Sequence, residues 1–330
     1  MYEPNNILIT GGCGFIGSNV LNYLMKNYPN IKFVNVDKLD YCSTTKNVII
    51  QPNYIFIKGD IKNEILVKKI LNDYNIDTII HFAAQTHVDN SFENAMLFIE
   101  ENIIATYILL KSSVEYNKLK RFIHVSTDEV YGESELNSDT NTEETILNPT
   151  NPYSASKASA EYYVKSYFKC YKLPIIITRG NNVFGPRQFP EKLIPKFITK
   201  LFSNDKCTIH GTGKNLRNFI YVDDVSTAFE TILFKGEIGQ IYNIGTKNEY
   251  SVKEITYDLI KLIKNDQNYD KYIEYIKDRP WNDLRYTISS DKLQKLGWKE
   301  QTDFYEGLNK TINWYYNLDK NYWNNIWKNH

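Results

Sequence analysis

The sequence predicts an α/β fold, a doubly wound parallel sheet with a smaller, partly interleaved C-terminal substrate lobe. Three observations carry that expectation. Short β-branched runs alternate with amphipathic stretches through the first half of the chain, and a glycine-rich turn joins the first run to the first amphipathic stretch. Beyond about Arg179 the rhythm changes to longer polar connections with isolated strands. Strands of four to six residues separated by helices are repeated βαβ units, whose crossovers cover both faces of a parallel sheet.

Taken in order, Asn6 to Thr10 reads as the first strand and Phe15 to Asn27 as the helix behind it. Further strands are expected at Lys32 to Asp37, Tyr54 to Ile57, Thr78 to Phe82 and Arg121 to Ser126, with helices at Asn63 to Tyr74 and Asn94 to Tyr116. A helix and strand follow at Tyr153 to Tyr171 and Pro174 to Thr178, after an acidic, polar surface loop from Glu133 to Thr150. In the last third, isolated strands are expected at Cys207 to His210, Arg217 to Val222 and Gln240 to Ile244, and helices near Ser251 to Ile263 and Phe304 to Tyr316.

Composition narrows the function. The 330 residues carry 39 Lys and Arg against 39 Asp and Glu, so the chain lacks the cationic excess with which proteins track nucleic-acid phosphates, and no nucleic acid partner is expected. Cys13, Cys42, Cys170 and Cys207 form no CxxC pair, and the five His show no metal-ligand spacing, so reduced thiols in a cytoplasmic setting and no metal are expected. The N-terminus is polar, and no apolar run approaches the roughly 18 residues of a membrane span, so no membrane partner is expected.

Gly11, Gly14 and Gly17 fall between a strand and a helix in Gly11-Gly12-Cys13-Gly14-Phe15-Ile16-Gly17. Gly11 can make the tight turn, Gly14 lets a pyrophosphate approach the backbone, and Gly17 permits close helix packing. The N–H groups around Phe15 and Ile16 open the helix with its positive dipole end. Such a triplet alone is weak, but Asp37 ends the second strand where a Rossmann-like fold places a carboxylate on the adenosine ribose. A carboxylate there repels a 2′-phosphate, which favours NAD over NADP; Lys38 beside it weakens the preference. Asp60 and Ile61, after the third strand, are adenine-contact candidates, against the plainer reading of a solvated turn. Residues 1–179 are thus the expected NAD-binding domain, with a returning segment near 217–245, and 180–330 the substrate lobe.

Tyr153 and Lys157 stand four apart at the start of a helix, hence on one face and about 6 Å apart along the axis. An ammonium near a phenol lowers its pKa from ~10 and makes it a base for a hydroxyl proton during hydride transfer. Thr127, Asp128 and Glu129 follow the Arg121 to Ser126 strand at its C-terminal end, where open α/β sheets bind ligands. Oxidation needs only a hydroxyl such as Thr127 beside the Tyr-Lys pair. Two adjacent carboxyls add an acid and a base for eliminating water, because like charges separate their pKa values.

The glycine turn combined with Tyr153-Ser154-Ala155-Ser156-Lys157 resembles the extended short-chain dehydrogenase/reductase family, and Ser126-Thr127-Asp128-Glu129-Val130-Tyr131-Gly132 is similar to its nucleotide-sugar 4,6-dehydratase signature. The resemblance runs from Asn6 to about Tyr316. It implies an NAD-dependent lyase acting on a nucleotide-diphosphate glucose: Tyr153 takes the O4 proton as hydride leaves C4, Glu129 removes the C5 proton, Asp128 protonates the departing C6 hydroxyl, and hydride returns to C6. Ala83 and Ala84 would lie against the cofactor and Thr86 near the glucose. Asn182 and Lys192 would contact the diphosphate with Leu193 beside them, His210 would flank the base, and Arg217 and Arg279 would bind the diphosphate. Val183 and Trp281-Asn282 depart from the bacterial pattern toward the eukaryotic-type branch that includes UDP-rhamnose synthase modules, which leaves uracil and thymine both open. A homodimer through the helices at Asn94 to Tyr116 and Tyr153 to Tyr171 is also implied. Two rivals remain: a 4-epimerase, which does not need Asp128 and Glu129, and a non-catalytic NAD-sensing module, which could discard Tyr153 and Lys157.

Overall fold

The computed structural model describes residues 2–135, 139–278, 281–319 and 321–323. The chain opens with β1 (Asn6–Thr10), α1 (Phe15–Asn27), β2 (Lys32–Asp37), β3 (Tyr54–Lys58), α2 (Glu64–Asp73) and β4 (Thr78–His81). Next come α3 (Val88–Glu93), α4 (Ala95–Phe98), α5 (Ala105–Tyr116), β5 (Arg121–Thr127), α6 (Pro152–Tyr171), β6 (Ile175–Gly180) and β7 (Asn182–Phe184). The remainder comprises α7 (Leu193–Phe202), β8 (Cys207–His210), β9 (Leu216–Tyr221), α8 (Val222–Lys235), β10 (Ile241–Ile244), β11 (Glu249–Ser251), α9 (Val252–Lys264), β12 (Ile273–Ile276), α10 (Asp291–Lys295) and α11 (Phe304–Tyr316).

The main sheet has seven strands in the order β10-β6-β5-β4-β1-β2-β3, every pairing parallel. The order reverses between β1 and β4, so the crevice at their carboxyl ends is the topological switch point where such sheets take ligands. Alternation along β1 shows why both faces need cover. Ile7 and Ile9 enter one core with Val20, Leu21 and Leu24 of α1 and Phe229 and Ile232 of α8, while Leu8 enters the other with Ile70 of α2, Leu109 of α5 and Val164 of α6. A third core, built on Phe184, Phe197, Ile209, Ile255 and Phe304, lies in the C-terminal lobe. There, β7 and β9 pair in parallel with β11 antiparallel at the edge, and β8 pairs with β12.

Interleaving arises because the chain crosses between these cores repeatedly. After β6 it enters β7; after β9 it returns through α8 and β10 to the main sheet; then it leaves again for β11. The sequence pattern expects one helix from Asn94 to Tyr116, whereas the structure divides it with a π-helical turn at Ile99–Ile104. That wider turn presents the Asn102 side chain to both backbone groups of Gln85, at 2.8 and 3.0 Å, and to the Ser156 hydroxyl of α6 at 2.8 Å. No helix among the described residues is long and apolar enough to cross a membrane.

Candidate active site

At the end of β1 the backbone takes a left-handed turn at Gly11, with φ of +72°. A Cβ there would lie 2.6 Å from the Ala83 backbone nitrogen, so only glycine lets the exits of β1 and β4 meet. Gly17, in the first turn of α1, packs against the Gly11 carbonyl, and the α1 N-cap, Gly14, makes no side-chain capping bond. No acidic residue occupies that first turn, so its positive dipole end is not neutralised locally. The buried Asp37 carboxylate accepts hydrogen bonds from the Cys13 N–H at 2.9 Å, the Leu39 N–H at 2.8 Å and the Ser43 hydroxyl at 3.2 Å. Burial pushes its pKa up while those three donors pull it back. Lys38 is held by Glu101 at 2.8 Å and Asp40 at 3.2 Å, which engages its charge within the protein. The close-packed glycine turn, the exposed helix start and a carboxylate at the second strand end fit a dinucleotide with an unphosphorylated ribose.

β5 ends at Thr127, whose hydroxyl accepts the Glu129 N–H at 3.3 Å and donates to Asp128 Oδ1 at 3.2 Å, starting the short 3₁₀ turn Asp128–Tyr131. Asp128 is 2% exposed and receives the Asn181 side-chain amide on Oδ2 at 2.7 Å. Burial and then the neighbouring Glu129 charge push its pKa up to about 7. Glu129 is less enclosed, accepts the Asn151 amide on Oε2 at 3.1 Å, and is also raised by burial. The helix that follows is fixed at its start: Asn151 is the N-cap of α6 in a reciprocal capping box with Ser154, and Pro152 occupies the first helical position. This places Tyr153 in the first turn and Lys157 one turn later.

One expectation changes here. The Tyr153 phenol is held above, not below, its ordinary pKa, chiefly by burial and then by the Glu129 charge, with the Thr127 hydroxyl opposing. Lys157 is not among the groups that lower it; its ammonium donates to the Val125 carbonyl at 2.7 Å, and burial lowers its own pKa to about 8. In the cleft as it stands, the phenol keeps its proton at neutral pH.

Opposite these groups, Lys192 caps the start of α7 and its ammonium donates to the Thr86 carbonyl at 2.5 Å. Close by, the Tyr41 hydroxyl donates to Glu191 at 2.7 Å and the Tyr41 ring packs edge-on against Phe189 at 5.4 Å. The loop after β2 and the loop before α7 thereby meet over the cleft. Arg217, on β9, lies over the Tyr286 ring at 4.8 Å and donates to Asn282 Oδ1 at 3.2 Å, while Tyr286 and Trp281 both donate to the buried Asp283.

A single cavity of about 460 Å³ runs through all of these elements. It is lined by Gly11, Gly14, Phe15, Ile16 and Gly17; by Asp37, Lys38, Asp60 and Ile61; by Ala83, Ala84 and Thr86; by Thr127, Asp128, Glu129, Tyr153 and Lys157; and by Asn182, Lys192, Leu193, His210 and Arg217. Arg279, the remaining candidate, lies outside the described residues. Sequence reasoning missed Asn151, Asn181, Tyr286 and Asp283, all in the cavity wall. The Asn-Pro pair ahead of Tyr153 is a legible N-cap signal, but nothing local to Asn181 or Asp283 reveals their partners. His87, which also lines the cavity, caps α3 by accepting the Asn90 N–H.

The family model described as GDP-mannose 4,6 dehydratase matches residues 8–311. The chain is 52% identical over 318 residues to the trifunctional UDP-glucose 4,6-dehydratase/UDP-4-keto-6-deoxy-D-glucose 3,5-epimerase/UDP-4-keto-L-rhamnose-reductase of Arabidopsis thaliana, a match covering 95% of this chain and 47% of the plant protein. It thus spans about half the length of that relative. A dTDP-D-glucose 4,6-dehydratase of Dictyostelium discoideum is 49% identical over 363 residues, covering 97% of this chain and 83% of the relative. Among solved structures, the dTDP-glucose 4,6-dehydratase DesIV of Streptomyces venezuelae, with NAD and TYD bound, superposes with a TM-score of 0.89 at 36% identity, covering 94% of this chain and 97% of that one. With the glycine turn, the paired carboxyls and the Tyr-Lys helix opening into one cavity, the chain belongs to the nucleotide-sugar 4,6-dehydratases of the extended short-chain dehydrogenase/reductase family.

Proposed function

We propose that the protein converts dTDP-glucose or UDP-glucose to the 4-keto-6-deoxy sugar nucleotide and water, an NAD-dependent lyase reaction toward rhamnose-type deoxysugars. The carrying observation is that cofactor cradle, carboxyl pair and cationic substrate wall share one cavity. NAD, when bound, accepts hydride from C4 of the glucose, returns it to C6, and brings a cationic ring into the site. Gly11, Gly14, Phe15, Ile16 and Gly17 would hold its pyrophosphate, Asp37 its ribose, Asp60 and Ile61 its adenine end, and Ala83 and Ala84 its flank.

The protein's own groups divide the remaining work. With that positive charge beside it the Tyr153 phenol can ionise and take the O4 proton, and Thr127 hydrogen-bonds the resulting carbonyl. Glu129 removes the C5 proton, which that carbonyl acidifies, and later returns a proton to C5. Asp128, whose pKa of about 7 keeps a large neutral fraction near neutral pH, protonates the C6 hydroxyl as it leaves. Lys192, Arg217, Asn182 and Leu193 bind the diphosphate side, with Arg217 suited to a phosphoryl group by its forked donors. His210 flanks the base and Thr86 the glucose. Uracil and thymine differ by one methyl, a discrimination of only about 1–3 kcal/mol, so both nucleotides are expected to serve.

The paired carboxyls argue against a 4-epimerase, and the retained Tyr153 and Lys157 against a mere NAD sensor. Incubating purified protein with either nucleotide glucose, without added NAD, decides among the three. The expected product is lighter by one water and, in deuterated water, carries deuterium at C5. A product of unchanged mass means an epimerase, and no product means a sensor. A cytoplasmic homodimer is part of the same reading, supported by exposed Tyr107, Tyr162 and Tyr163 together with Met96, Ile99 and Ile104 on the α4–α6 side.

A further inference from the structure

Two asparagines outside the motifs hold the two carboxyls in the same manner. Asn181, just after β6, is 4% exposed; its Oδ1 accepts the Thr246 backbone N–H at 3.1 Å and its Nδ2 donates to Asp128 Oδ2 at 2.7 Å. Asn151 is 6% exposed; its Oδ1 accepts the Ser154 backbone N–H at 2.9 Å and its Nδ2 donates to Glu129 Oε2 at 3.1 Å. A backbone N–H can only donate, so each amide oxygen is committed and the orientation of each amide is decided. Each carboxyl therefore faces an NH₂ group, which offers protons and accepts none.

This matters because the two oxygens of a neutral carboxyl are unequal. Its carbonyl oxygen is a good acceptor and its hydroxyl oxygen a poor one, so the oxygen facing the amide disfavours the proton. Asp128 Oδ1 instead faces Thr127, whose rotatable hydroxyl can donate or accept and so tolerates either state. Resting on the dehydratase reading above, we infer that Asn181 and Asn151 are positioning residues that select the working oxygen of each carboxyl: the Asp128 proton is kept on Oδ1, and Oε1 of Glu129 is left as the proton-accepting atom.

The elimination then balances atom by atom. Oε1 of Glu129 takes the C5 proton, and the C5–H electron pair becomes the C5–C6 double bond, conjugated with the C4 carbonyl. The C6–O bond breaks with its pair on oxygen, which receives the Oδ1 proton of Asp128 and departs as water. Asp128 ends ionised and Glu129 neutral. The Asn181 contact strengthens as its acceptor gains charge, so it favours the step rather than the resting state, while the weakened Asn151 contact favours return of the proton to C5.

The charged and titratable groups around the pair are Glu129, Tyr153 and Arg217 for Asp128, and Tyr153, Lys192, Arg217, Asp283 and Tyr286 for Glu129. The test leaves all of them in place. Asn181→Asp is isosteric and still accepts the Thr246 N–H, but turns an acceptor toward Asp128; Asn181→Ala removes the amide; Asn151→Ser keeps the helix cap and removes only the donor to Glu129. Water loss is expected to slow on the order of tenfold in both Asn181 variants, as befits a lost bond to a charged group. Its Asp128-dependent pH limb should move upward, while the transient absorbance of reduced nicotinamide forms as fast as in the wild type and then stands higher and decays later. In Asn151→Ser the rate of deuterium entry at C5 should fall and that limb should stay. Wild-type behaviour in these variants, or equal losses in oxidation and elimination with only a lower melting temperature, would overturn the inference. If the wild-type protein itself releases no water from either nucleotide glucose, the dehydratase reading fails, and the inference with it.

Discussion

Asp128 shows the clearest tension between stability and chemistry at a single residue. Its pKa of about 7 lies above the ordinary 3.8, so the folded protein binds this proton more tightly than the unfolded chain does. Its contribution therefore weakens the fold as pH rises between those values, and the penalty is complete above the upper one. Replacing it with Asn should raise the melting temperature at pH about 8 and change it little at pH about 4, while abolishing dehydration; equal shifts at both pH values would contradict this. The places of Gly11, Asp37, Asp128 and Glu129 in one cavity are legible in sequence because each is tied to a strand end by fixed spacing. The donors that tune them are not, since Asn181 meets Asp128 only once β5 and β6 are paired. For the same reason the phenol's direction is misread: spacing puts Lys157 near Tyr153, but only the fold shows the ammonium engaged by Val125.

Among the elements, α6 is the one that must not move, since it carries Tyr153, Lys157 and the Asn151 cap. Its far side is anchored by a buried pair: Arg179 of β6 donates to both oxygens of Glu161, at 3.0 and 2.6 Å, and to the Tyr131 hydroxyl at 2.8 Å. Tyr131 in turn donates to Asn243 of β10 at 2.8 Å, so one network ties α6, the carboxyl-bearing turn and two strands. Arg179→Leu leaves the buried Glu161 charge with only the Lys165 ammonium at 3.6 Å, and about 3 kcal/mol of stability should be lost in urea unfolding. A double change of Arg179 and Glu161 to Leu should recover much of it; failure of the double variant to recover would mean that the Tyr131 contact, not the ion pair, dominates. The helices with simple apolar stripes were readable from periodicity, and α11 falls on its expected bounds. The π-turn was not, because an inserted residue breaks the period that identifies a helix. α7 and α8 went unassigned because each follows a strand or loop whose pattern runs into it without a strong capping signal, and neither has a side-chain cap in the structure.

For the whole molecule, the exposed tyrosines on the α4–α6 side predict self-association. Sedimentation should give twice the chain mass of 38.7 kDa, and Tyr107→Glu with Tyr163→Glu should reduce it to one. A wild-type monomer at micromolar concentration would rule the dimer out. The α/β class, the doubly wound parallel sheet and the change of rhythm after Arg179 are visible in sequence, because βαβ units leave a local pattern. What no linear pattern discloses is how the lobes are joined. The chain crosses between them after Gly180, after Tyr221 and after Ile244, then returns through α10, whose Leu293 packs in the main core, before leaving for α11. The crossings after Gly180 and after Ile244 are bonded to each other through Asn181 and Thr246, and Asn181 also holds Asp128. Asp128 thus hangs from the seam where the chain passes between its cores, so any change in how those cores meet reaches this carboxyl directly.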